Sequence, residues 1–233
     1  MKNNRIMKAA GALLVLVLVT SCFVGSTFAK YTTTGRGDDT ARVAKFGVSI
    51  EANGSTFAKE YATDDQHVAG TIAKSVVSSD NDKLVAPGTK GNMVSMTISG
   101  KPEVAVNVQY AATLTLNDKW VDADGKFYCP LQIKVNTGAG NVGICGLDFT
   151  SATLFTQAVQ NEIAKAGKQY PANTDLSADA VTPAVSWAWA YEGAGEHAVV
   201  QTDEKDTYLG DQAAAGNAAD IQLTVITTVT QID

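Results

Sequence analysis

Histidine is almost missing from this chain. His67 and His197 are the two present, and no His-Glu-x-x-His occurs. The helix that offers two imidazoles and a glutamate to one zinc ion therefore has no counterpart here. Cysteine is nearly as scarce: Cys22 lies in an apolar leader, which leaves Cys129 and Cys145, and two cysteines do not make a zinc site. Gly-x-Ser-x-Gly is absent, so no nucleophile elbow points to serine hydrolysis. The glycines of Thr137-Gly138-Ala139-Gly140-Asn141 lack the following helix that would aim amides at a phosphate, and they read as a hairpin tip. Positive charge is short as well. The 18 Lys and Arg, less Lys2, Arg5 and Lys8 of the leader, leave 15 against 24 acidic residues, a formal charge of −9 on the body. Such a body does not draw nucleic acid or anionic lipid to itself.

What is there begins with the leader. Lys2, Arg5 and Lys8 precede an apolar run from Ala9 to Val19, and Thr27-Phe28-Ala29 places small residues at a cleavage point. This is the pattern of an export signal cut between Ala29 and Lys30, residues 1–29 forming a helical signal peptide and the product being secreted to the cell surface or matrix. Two other fates compete. Val19-Thr20-Ser21-Cys22 resembles a lipobox that would lipidate Cys22, and the uncharged stretch from Ala9 to Ala29 is long enough to anchor if left uncut. All three put the body outside the cytoplasm, with membrane contact only through the leader. Outside the cytoplasm, Cys129 and Cys145 read either as a disulfide or as two buried thiols. The bridge would close a loop of about 17 residues and stabilise by roughly 3 kcal/mol.

Period-two alternation dominates the body. Val104, Val106, Val108, Tyr110, Ala112, Leu114 and Leu116 share one face of a strand. The same pattern recurs in Val94-Met96-Ile98, in Phe127-Cys129-Leu131-Ile133-Val135, in Val185-Trp187-Trp189-Tyr191 and in Ile221-Leu223-Val225. Val43 to Ile50 supplies a strand at the front, with Phe46, Val48 and Ile50 facing inward. Ala86-Pro87-Gly88, Gly100-Lys101-Pro102 and Asp124-Gly125 are turns between strands. These features predict an all-β antiparallel sandwich filling 42–233 as a single domain. One helix is inserted at about 151–166, capped by Ser151 and closed by Gly167, with Leu154, Phe155, Ala158, Val159 and Ile163 on its apolar face. Lys168 to Ala184 and Gly193 to Asp220 read as loops, the second with a short helix near Thr207 to Ala215, while residues 30–41 form a mobile lead.

Few residues invite chemistry. A composite metal site of His67, His197, Asp64 and Glu196 competes with the reading of solvated loop residues. Asp80-Asn81-Asp82 and Asp122-Ala123-Asp124-Gly125 offer oxygen ligands for weak calcium binding, but turns use the same residues for backbone reasons and neither run has a distant bidentate glutamate. No other cofactor is expected. Arg36-Gly37-Asp38 spells an integrin tripeptide that chance also supplies. Trp187, Trp189 and Tyr191 fit the core face of a strand better than a glycan platform.

Several segments together resemble a known family. The Ser26-Thr27-Phe28-Ala29-Lys30-Tyr31 junction, the Thr40-Ala41-Arg42-Val43-Ala44-Lys45-Phe46 stretch, Val85-Ala86-Pro87-Gly88 before an alternating strand, and the closing Thr228-Val229-Thr230-Gln231 are similar to the TasA/camelysin group of exported Gram-positive proteins. The resemblance implies a jelly-roll-like sandwich without catalytic residues, a fibre subunit of biofilm matrix. In this reading Tyr31 leads, and Val43, Phe46, Val48 and Ile50 are inserted into the next subunit as a donated strand. The implied partners are other copies of the chain, a dedicated signal peptidase and an accessory matrix or anchoring protein. A stable monomer in which Val43 to Ile50 is simply the first strand is the alternative. Rival functions are a camelysin-type cell-surface metallopeptidase and a lipid-anchored surface binding module.

Overall fold

The computed structural model describes residues 42–53, 57–62, 73–80 and 82–232. Within the compact unit Val43–Asp233, every strand pairing is antiparallel. The fold is mostly β, as the alternation predicts. The strands are β1 (Val48–Asn53), β2 (Glu60–Ala62), β3 (Lys74–Val77), β4 (Lys90–Gly100), β5 (Val106–Leu116), β6 (Leu131–Asn136), β7 (Asn141–Cys145), β8 (Lys168–Tyr170), β9 (Ala184–Trp189) and β10 (Ile221–Gln231). Five form a sheet in the order β1-β4-β9-β6-β7, three a sheet in the order β10-β5-β8, and β2-β3 a two-stranded ribbon.

The core follows from side-chain parity. In β5 the residues Val106, Val108, Tyr110 and Leu114 are buried, and in β6 Leu131, Ile133 and Val135 are wholly so. One apolar cluster draws on both sheets. β5 runs beside β10 in unbroken register from Leu116↔Ile221 to Val106↔Gln231. In β4 the parity changes part way: Met93 is buried together with Met96 and Ile98, because the register against β9 shifts between Asn92 and Val94. Such a bulge turns two residues towards one partner and resets which face points inward.

Helix α1 (Ala152–Ala164) starts where Ser151 Oγ accepts a hydrogen bond from the Leu154 amide at 3.3 Å. Phe155, Val159 and Ile163, four residues apart, are fully buried, and Gln160 Nε2 donates to the Leu114 carbonyl of β5 at 3.3 Å. Leu154, expected on the apolar face, is exposed.

Four expectations need correction. The strand expected from Val43 begins at Val48, and Phe46 and Ile50 do not face inward: they are 41% and 40% exposed, Val43 91%. Of these only Val48 packs against the core, β1 being the outermost strand of its sheet. Lys168 to Ala184 is not a loop. It holds β8, which pairs with the start of β5, and helix α2 (Leu176–Asp179), capped by Asp175. The inserted helix is not the only one: α3 (Asp203–Ala214) begins a turn ahead of Thr207, after Thr202, with Asp203, Glu204 and Asp206 in its first turn, where the helix dipole favours acids. Tyr191 lies past the end of β9 and is exposed, whereas Trp187 and Trp189 are buried as core residues.

Candidate functional site

A cluster of metal-capable side chains forms where β7 ends. The chain leaves Cys145 into a 3-10 turn, Gly146–Asp148, and a Cβ at Gly146 would stand 2.3 Å from the Cys129 carbonyl oxygen. Only glycine allows so close a passage. That passage sets Cys145 and Asp148 on one corner, held from beneath by Leu147 against the core and by Phe149 beside Phe155, ring centroids 5.7 Å apart. The third member arrives from far along the chain. His197 sits on the 3-10 turn Gly195–Val199, and its Nε2 meets Asp148 Oδ1 at 2.6 Å. Cys145 Sγ, an Asp148 carboxylate oxygen and a His197 ring nitrogen all lie within 4.8 Å of one another.

Exposure is graded across the group. Cys145 is buried, the His197 side chain is 23% exposed and that of Asp148 48%. Burial raises the Cys145 thiol above its ordinary value, the Leu147 amide works against this, and the Asp148 charge raises it again. Burial likewise pushes the Cys129 thiol far up. In both cases burial favours the protonated thiol over the thiolate.

The expected sites fall as follows. Ala29, Lys30, Tyr31, Asp64, His67 and Arg36-Gly37-Asp38 lie outside the described residues. The composite site of His67, Asp64, Glu196 and His197 is therefore represented only by its second half, and His197 turns to Asp148 and Cys145 instead. Cys129 and Cys145 are both buried free thiols, so the bridge is not made in this structure. Asp122 behaves as a turn residue. Its Oδ1 accepts from the amides of Asp124 and Lys126 at 3.1 and 3.0 Å, and Lys205 Nζ reaches its Oδ2 at 3.4 Å. Asp80 accepts from Ser79 Oγ, and the Asp82 amide donates to Ser78 Oγ, again turn geometry. Gly138 and Gly140 do sit at the tip of the β6-β7 hairpin.

Two further features were not legible in the sequence. A groove of about 590 Å³ between β4, β9 and the β6-β7 hairpin is lined by Asn92, Asn136, Asn141, Ser186 and Lys134 among others, and among the described residues Lys134 is the one titratable side chain lining it. It offers no acid and base pair. The second is Asp206, buried on α3, whose Oδ1 accepts from Tyr128 Oη at 2.6 Å and whose Oδ2 accepts from Trp189 Nε1 and Gln201 Nε2 at 3.2 and 3.1 Å. Both oxygens have donors, so the carboxylate acts as an anchor for α3. No protein-family model, curated protein or solved structure matches this chain.

Proposed function

We propose that the chain is an exported structural subunit that polymerises into extracellular fibres by passing its N-terminal strand to the next copy, on a jelly-roll-like sandwich of the kind the TasA/camelysin resemblance implies. The observation that carries this reading is the outward apolar surface at the front of the body: Val43, Phe46 and Ile50 are exposed on and before β1, at the margin of the five-stranded sheet. Large apolar side chains on an edge strand cost stability in water and invite strand pairing unless something covers them.

Among the described residues, a receiving edge is also open. β10 is the outer strand of its sheet, eleven residues long, and reads Ile-Gln-Leu-Thr-Val-Ile-Thr-Thr-Val-Thr-Gln. Edge strands are usually guarded by lysine, proline or a bulge, and β10 has no charge, no proline and no register shift against β5. A donated strand and an open edge on opposite sheets give a head-to-tail contact, which does not close and so propagates. Cleavage before Lys30 would free the donor, which makes export the trigger.

The test is negative-stain electron microscopy of protein whose first residue is Lys30, compared with protein carrying extra residues ahead of it. Filaments from the first alone are expected. Monomers from both at high concentration would overturn the fibre reading in favour of a surface binding module.

A further inference from the structure

We propose that Cys145, Asp148 and His197 form a binding site for a divalent cation of the zinc class. Three different ligand atoms, sulfur, oxygen and nitrogen, converge from two segments about fifty residues apart, all within 4.8 Å. Around a tetrahedral zinc ion with bonds of about 2.0–2.3 Å, ligand atoms stand roughly 3.3–3.7 Å from one another. The His197–Asp148 contact of 2.6 Å has to open by roughly 1 Å, a movement that rotation of two partly exposed side chains supplies. The ion enters between His197 Nε2 and the Asp148 carboxylate, and Cys145, a thiol in the free protein, coordinates from the buried side as a thiolate after giving up its proton to solvent.

The donor set selects the metal. One thiolate with one imidazole suits zinc and its neighbours in the transition series, while calcium and magnesium need a shell of oxygens that one carboxylate cannot provide. The gradient of exposure, from buried Cys145 to half-exposed Asp148, gives the ion an entry path and leaves a fourth position to water. Tethering the Gly195–Val199 turn to the corner after β7 through a metal would also fix the connection between β9 and α3. Cys129 stands outside the three, so the site needs no bridge between the thiols.

Cobalt(II) replaces zinc in such sites and reports its ligands by absorption. The full chain, purified in mild detergent and reduced with a phosphine, is titrated with cobalt(II). The expected result is a saturable one-to-one spectrum with visible bands of a four-coordinate ion and a thiolate-to-cobalt charge-transfer band, reversed by zinc. Cys145→Ser should abolish the charge-transfer band and Cys129→Ser leave it intact. Asp148→Asn and His197→Gln change an exposed and a partly buried side chain outside the core and retain the fold. Each should weaken binding by more than about tenfold, since even outer-shell partners are worth about 10–100-fold. Absence of a saturable spectrum, or the same spectrum and affinity in His197→Gln with native circular dichroism, would overturn the site. Filament formation plays no part in the readout, so the two proposals stand or fall separately.

Discussion

Asp206 concentrates more packing consequence than any other polar residue described. Its carboxylate receives Tyr128, Trp189 and Gln201 together, joining α3 to β9 and to the segment before β6. Removing the acceptor strands three buried donors, each costing about 1–3 kcal/mol. Asp206→Ala should therefore destabilise by roughly 3–5 kcal/mol, with Asp206→Asn milder because one oxygen remains; urea unfolding followed by tryptophan fluorescence separates the two. A second residue carries a pH signature. Burial by itself raises Asp122, but the Lys126 amide, Lys205 and the Asp124 amide outweigh it, leaving the carboxyl below its ordinary value. A lowered folded value means stability that is full above the unfolded pKa of about 3.9 and lost as pH falls through the folded one. Urea midpoints should drop in that acid window for the native chain, and the drop should be smaller in Asp122→Asn. The turn at Asp122 is legible in the sequence, but its pairing with Lys205 and the anchoring role of Asp206 are not. An aspartate in a first helical turn, or in Asp-x-Asp-Gly, is ordinary by composition, and what singles it out is a donor brought from Tyr128, 78 residues away. The sequence singles out His197 as a candidate ligand but with other partners, because Asp148 and Cys145 reach it only through the fold.

At the scale of elements, legibility tracked length and burial. β6 alternates cleanly since one face is wholly covered, β5 nearly so with Ala112 and Leu116 partly buried, and α1 shows its period because Phe155, Val159 and Ile163 all meet the core. β8 has three residues, too few for a period to be seen. β1 misled because alternation at Phe46, Val48 and Ile50 assumes a layer above it, and an outermost strand lacks one. Two predictions belong here. Ser151→Ala removes the bond to the Leu154 amide and should cost about 1 kcal/mol, read as a lowered urea midpoint with unchanged slope. Gly100 closes β4 at φ +121, and a Cβ there would stand 2.1 Å from the Gly47 carbonyl oxygen. Gly100→Ala cannot keep both that conformation and that contact. It should loosen the Val48↔Gly100 end of the pair, and hydrogen exchange should quicken across β1 while β5 and β6 keep their protection.

For the whole molecule, the proposed fibre requires that donating and receiving surfaces be separate, and each can be disabled without harming the subunit. Phe46 and Ile50 are exposed, so Phe46→Asp with Ile50→Asp should shift stability by no more than about 0.5 kcal/mol per site. It should nevertheless leave a chain that begins at Lys30 unable to donate. Ile226 is 59% exposed on β10, and Ile226→Lys places on that edge the charge that edge strands commonly carry against pairing. Each variant alone should remain monomeric in analytical ultracentrifugation. Mixed in equal amounts, the intact donor of one meets the intact edge of the other, and the series must stop at dimers because neither product can extend. Filaments from Ile226→Lys alone would move the receiving edge elsewhere on the body, and filaments from the double aspartate variant would remove residues 46–50 from the contact altogether.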